Sequence, residues 1–251
     1  MAESSSSALP TSPAGLSRVE RLLDAYVAPG KTFIDIHRSA SWWLPYVLSL
    51  LASVLFAFAL QHEIGFKKVA ESIVNNSPQM QDRISSMTPA QVQQMEATIA
   101  TSVRISTYAF PVLILIIALV CAAVLMASFN FGLGAQARFG QYLALWFYAT
   151  LPMLLKSLLI SVTLFAGLGA DQFNIQNPLG SNLGYYIGQD APAWLTGLLS
   201  FVDVFTLWSV VLLVLGGAIV ARVKRNQAAI VVVGWFVLVI FVSTVMAALR
   251  G

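Results

Sequence analysis

Two ionisable side chains interrupt long apolar runs of this chain and have the most capacity for chemistry: Lys156, within Tyr142 to Leu168, and Asp203, within Trp194 to Ala221. A charge placed centrally in an apolar crossing costs roughly 2.5 to 3.5 kcal/mol on insertion scales, so it must be paired or reach water. Counted from the side their runs share, Lys156 lies about 12 residues deep and Asp203 about 9, a depth difference of ~5 Å at ~1.5 Å per residue. A lysine stem covers that distance, so a salt bridge between antiparallel helices is expected. Structurally such a bridge clamps helix register; functionally it would serve as a proton or ion relay. The remaining alternative is simple snorkelling of the charges to water. Pro152 stands four residues before Lys156. It cannot donate to the carbonyl of Tyr148 and should kink its helix. A kink beside a buried charge fits a small transporter or channel component as well as it fits simple packing.

Elsewhere no catalytic constellation is found. His37 and His62 are the two histidines, both near the ends of apolar runs. His62-Glu63 is not followed by a second His at helical spacing, and there is no GxxxxGK[ST] loop and no Gly-x-Ser-x-Gly elbow. The expectation is a non-enzyme with no catalytic residue, no metal site and no cofactor. Cys121, the only cysteine, lies in an apolar run and cannot form an intrachain disulfide.

The elements that must position Lys156 and Asp203 follow from composition. Of 251 residues, 58% are hydrophobic and 10% charged, against roughly 25% charged in an ordinary soluble domain. The apolar residues gather into five blocks near the ~20 residues a membrane helix needs: 42–60, 108–129, 142–168, 194–221 and 228–249. Helix is the expected form because it satisfies its own backbone groups in hydrocarbon, and the alternation of a barrel strand is missing. The fold class is therefore all-α, a polytopic protein with the lipid bilayer as its solvent. Trp42, Trp43, Tyr142 and Trp194 open their blocks as interfacial anchors. Arg18, Arg21, Lys31, Arg38, Arg138, Arg222, Lys224 and Arg225 fall on one side, and Lys67, Lys68, Arg83, Arg104 and Arg250 on the other. That imbalance puts the N-terminus in the cytoplasm and the C-terminus outside. A net charge of +3 scattered over block ends excludes a nucleic-acid stripe.

Residues 1–41 form a cytoplasmic segment, Ser/Pro/Ala-rich before Ser17. Ser17 and Glu20 have capping-box spacing, and Leu16, Val19, Leu22, Leu23 and Tyr26 recur on one face of the helix that follows. That amphipathic helix would anchor at the membrane surface or dock a soluble or membrane partner. The connection 61–107 is expected to hold two helices lying over the outer face. One buries Phe66, Val69, Ala70, Ile73 and Val74; the other starts at Thr88-Pro89-Ala90-Gln91 and continues through Val92, Met95, Ile99 and Val103. Gly216, Gly217, Ala218 and Ala221 would let another helix approach closely. The connection with Asn174, Gln176, Asn177, Pro178, Gly180, Ser181, Asn182 and Gly184 reads as a shaped turn.

From Pro29 to the C-terminus the chain resembles the Yip family of Ypt/Rab-interacting membrane proteins, in particular its prokaryotic branch. The residues that carry the likeness are Phe33, Ile36, Trp42-Trp43-Leu44-Pro45, Thr88-Pro89, Phe129-Asn130-Phe131 with Gly134, Tyr148, Leu151-Pro152, Leu155-Lys156, Asn177-Pro178-Leu179 with Asn182, and Asp203-x-Phe205-x-x-Trp208. The resemblance implies five spans, a cytoplasmic N-terminus and residence in a bacterial cytoplasmic (inner) membrane. The resemblance assigns no role to the prokaryotic branch; with no catalytic constellation in the chain, the expectation is a non-catalytic, membrane-organising or scaffold protein. The Asp-Leu-Tyr-Gly-Pro segment of eukaryotic members is absent ahead of the first span, so a Rab-type GTPase partner is not implied. A homo-oligomer is compatible with everything above.

Overall fold

Five helical stretches of the computed structural model are long and apolar enough to cross a membrane: Trp43–Glu63, Pro89–Phe131, Phe139–Phe165, Val204–Ala221 and Arg225–Leu249. The structure describes residues 15–75, 77–167, 174–175, 177–188 and 191–250. The Ser/Pro/Ala-rich segment 1–14, Leu168 and Gln176 lie outside the described residues. Among the described residues there is no β-strand, and the elements are α1 (Arg18–Val27), α2 (Pro29–Asp35), α3 (Trp43–Glu63), α4 (Phe66–Asn75), α5 (Pro78–Ile84), α6 (Pro89–Met126), α7 (Phe139–Ala149), α8 (Leu151–Phe165), α9 (Ala193–Ser200), α10 (Val204–Ala221) and α11 (Arg225–Arg250). A π-helical turn, Ala127–Phe131, ends the second crossing. Large apolar side chains such as Ile230, Val237 and Phe241 on α11 stand exposed, a surface that lipid accepts and water does not.

The connection before α6 differs from the expected pair of helices lying over the outer face. Thr88 does cap a helix through the box with Gln91, but α6 then runs unbroken from Pro89 to Met126. At ~1.5 Å per residue its 38 residues span ~57 Å, well beyond a hydrocarbon core of ~30 Å. The apolar stripe from Val92 to Val103 is thus the projecting end of a crossing. α4 buries Phe66, Val69, Ala70 and Val74, with Phe66 edge-on to Tyr108 of α6 at 6.1 Å. Ala59, Leu60, Ile160 and Leu164 complete this cluster, which ties α4 to α3 and α8.

At the opposite, basic end, α1 and α2 fold back into the bundle. The capping box of Ser17 and Glu20 starts α1, and Pro29 starts α2 after a sharp turn at Ala28. Phe33 and Ile36 are fully buried with Phe129, Tyr142, Leu145 and Tyr148. Gly216 permits this packing, since a Cβ there would lie 2.3 Å from Leu145 Cδ1 and 2.8 Å from Phe33 Cδ1. Trp42 stacks on Phe147 at 5.5 Å where the first crossing begins.

The apolar face read for α1 is divided in two. Leu22 and Tyr26 pack against the core while Val19 and Leu23 remain exposed at 63% and 62%; Leu16 is half-buried. The physical reason is Arg21, a cation that amphipathic patterning assigns to water but which is 3% exposed. Its guanidinium pairs with Asp35, donates to the carbonyl of Ser39 at 2.8 Å and lies 5.7 Å from the Tyr148 ring. Arg38 Nε donates to the other Asp35 oxygen at 2.7 Å. Burial pushes the Asp35 carboxyl up, but the hydrogen bonds and charges of Arg38 and Arg21 outweigh it and hold it below the usual carboxylate range. Tyr26 donates to the carbonyl of Leu151 at 2.8 Å, and burial raises its phenol to about 12, so it stays a donor.

Candidate functional site

Lys156 and Asp203 meet, but not as charges within two continuous crossings. Lys156 sits on α8, and its Nζ lies 2.9 Å from Asp203 Oδ2. Asp203 is outside any helix. The run read as one span from Trp194 to Ala221 divides into α9, a bend at Phe201 and Val202, and α10. Asp203 has extended backbone angles (φ −118°, ψ 133°) and is the N-cap of α10. Aspartate is a strong N-cap because its carboxylate takes an amide proton that the first helical turn leaves free. Here Oδ1 accepts from Thr206 N–H at 2.9 Å and from the Thr206 hydroxyl at 3.2 Å.

Neighbouring segments supply what remains of the carboxylate's partners. Ser181 Oγ donates to Oδ2 beside Lys156, so the two oxygens accept four hydrogen bonds, about the capacity of an ionised carboxylate. Asp203 is fully buried and the Lys156 side chain is 17% exposed. Two backbone bonds hold residues 181–183 against 202–204: Val204 N–H to Ser181 O at 3.0 Å and Leu183 N–H to Val202 O at 3.2 Å. The polar connection is therefore a shaped, buried turn. Asn182 Oδ1 accepts from Tyr185 N–H at 3.0 Å, and Asn177 Oδ1 accepts from Ser200 Oγ at 2.8 Å. Gly184 leaves room for α9, since a Cβ there would lie 2.4 Å from Ser200 Oγ and 2.9 Å from the Thr196 carbonyl.

Pro152 stands just inside a second interruption. Thr150 (φ −93°, ψ 6°) separates α7 from α8, with Pro152 in the first turn of α8. Thr150 Oγ1 donates back to Trp146 O at 2.9 Å. The pair is thus flanked by a helix break in each partner. Among the described residues no group of three or more His, Cys, Asp or Glu could hold a metal ion.

Ser181, Ser200 and Thr206 belong to this polar cluster, yet the two hydroxyls of Ser200 and Thr206 attract no notice in an apolar run. The available signal was Asp203 itself, a favoured N-cap residue type that averaging of hydropathy erases. A family model described as Yip1 domain matches residues 23–246. No curated protein and no solved structure matches the chain.

The geometry makes the two charges interdependent, which a double-mutant cycle on thermal unfolding in detergent checks. Lys156→Met and Asp203→Asn are each expected to cost about 3 kcal/mol, because each leaves a buried charge or polar group short of its partner. The double variant should recover on the order of 1 to 2 kcal/mol of the summed loss. Strict additivity would show that the contact carries no coupling.

Proposed function

The chain belongs to the Yip1 domain family, and from that premise we propose that it works without catalysis, as a five-span scaffold that organises a cytoplasmic-type membrane. The observation that carries this reading is the saturation of Asp203. Both carboxylate oxygens are taken by Lys156, Ser181 and Thr206, which leaves little capacity to bind a solute or pass a proton. A satisfied pair suits a clamp that fixes the register of α8 against α10.

In this reading the basic end of the bundle, with α1, Arg138 and Arg222 to Arg225, faces the cytoplasm. The α1 surface offered to a soluble or membrane partner is then Val19 and Leu23 with Val27, 81% exposed. Leu22 and Tyr26 serve the bundle instead.

One observation favours a transporter or channel component as the second reading: the breaks at Thr150 and at 201–203 bracket the ion pair, and discontinuous helices are a recurring feature of transport sites. Proteoliposomes under a proton gradient separate the two. The scaffold reading expects wild type and Asp203→Asn to leak as slowly as protein-free vesicles. A flux carried by wild type and abolished in Asp203→Asn establishes transport in its place. Orientation is checked by single cysteines in a Cys121→Ser background of sealed, right-side-out cells. Ser86→Cys should react with an impermeant maleimide and Ser17→Cys should not; the reverse pattern inverts the topology.

A further inference from the structure

A cavity of about 340 Å³ opens at the basic end, where the connections on either side of the third crossing's start and the fourth crossing's end meet the end of α2. Its volume falls within the ~300 to 1,000 Å³ of small-ligand sites. Arg138, Arg222, Gln136, Gln141 and His37 line it, and no acidic residue does. Neither arginine has an acidic partner among the described residues. Asp35, two residues from His37, is already taken by Arg21 and Arg38. The positive charge in this cavity is thus uncompensated.

Three hydrogen bonds in series fix the wall. Arg138 N–H donates to Gln141 Oε1 at 2.8 Å, Gln141 Nε2 donates to His37 Nδ1 at 3.3 Å, and His37 Nε2 donates to Ile219 O at 3.1 Å. An amide N–H only donates and a carbonyl only accepts, so the two ends set both the Gln141 orientation and the His37 tautomer. The series also removes an obstacle to anion binding. Carbonyls at the C-terminal end of a helix repel negative charge, but Ile219 O is occupied by His37, and Ala218 O accepts from Val223 N–H at 3.1 Å. On the other wall Arg138 stands at the N-terminus of α7, the end that favours an anion.

Arg222 is the one non-glycine residue with positive φ among the described residues (56°). It occupies the helix-ending position where glycine or asparagine is usual. A guanidinium retained at a backbone position unfavourable for a Cβ points to a use for the side chain.

We propose that this cavity binds a phosphate group, carried by an anionic phospholipid or by a soluble phosphate compound. Two arginines and Gln136 among the lining residues carry forked guanidiniums and an amide, the donor types that a phosphate's oxygens take. The cavity lies where α7 begins and α10 ends, at the level of lipid headgroups for helices that cross the bilayer. The site is independent of Lys156 and Asp203, which meet at the other end of α10.

The full-length chain, purified in maltoside detergent without phosphate, tests this by titration with two probes read by thermal shift. The probes are phosphatidylglycerol in mixed micelles and inorganic phosphate. At least one is expected to stabilise wild type saturably, with Arg138→Gln and Arg222→Asn each weakening the apparent affinity about tenfold. Arg225→Gln, which alters a charge outside the cavity, should shift it less than twofold. Saturation by the lipid alone identifies a headgroup, and saturation by inorganic phosphate without lipid identifies a soluble ligand. Asparagine tolerates the left-handed backbone of position 222. Should Arg222→Asn still lose its helical signal, Arg138→Gln against Arg138→Lys makes the same comparison, with lysine retaining more affinity. Absence of saturable binding by either probe overturns the proposal, as does an Arg225→Gln loss equal to that of the cavity variants.

Discussion

An ionised carboxylate withdrawn from solvent must have its lone pairs filled by protein, and at Asp203 that requirement organises much of the bundle. Its four hydrogen bonds come from three places: Lys156 on α8, Ser181 in the polar connection, and the first turn of α10. Satisfying one carboxylate therefore sets where α10 begins and how the connection folds under it. It also sets which turn of α8 lies opposite. A buried ion pair is weak evidence of stability, because apolar replacements of similar volume often do as well. Its stronger effect is specificity, since a slip of α8 by one turn would strand both charges at a cost that sliding leucines would not incur.

A second polar node stands in the amino-terminal helices and solves a similar problem differently. Arg21 and Asp35 are buried in helices that would otherwise lie loosely at a surface, and Arg38 shares the same carboxylate. Beside this node the packing is aromatic and close, with Phe33 against Gly216 and Phe129 against Gly217. Small residues on α10 admit the large rings of α2 and the turn after α6, so the amino-terminal helices become part of the bundle.

The crossings were legible because ~20-residue apolar blocks have no other comfortable solvent. Start signals were legible too where they stood in polar surroundings: Ser17 with Glu20 and Thr88 with Gln91 form the boxes their spacing suggests. Lys156 and Asp203 stood out as charges among apolar neighbours. Asp203 as a cap did not, because a residue that starts a helix and a residue inside one look alike when hydropathy is averaged across them. The same averaging hid the continuity of α6, whose polar first half resembles a separate surface helix. Helical periodicity did not show that Leu22 and Tyr26 turn to the core while Val19 and Leu23 stay exposed, because it treats every arginine as solvated. The partner that lets Arg21 enter the core is Asp35, on a different helix, and a periodic pattern carries no information about it.

The central claim is that the Ser181 to Asn182 turn and the start of α10 form one rigid unit around Asp203. Hydrogen–deuterium exchange of the protein in lipid nanodiscs tests it at the amides of Leu183, Val204 and Thr206, each bonded within that unit. Protection of all three at the level of the α10 interior, lost together in Asp203→Ala, is the predicted result. Exchange of these amides at the rate of a solvated loop in the wild type would contradict the account.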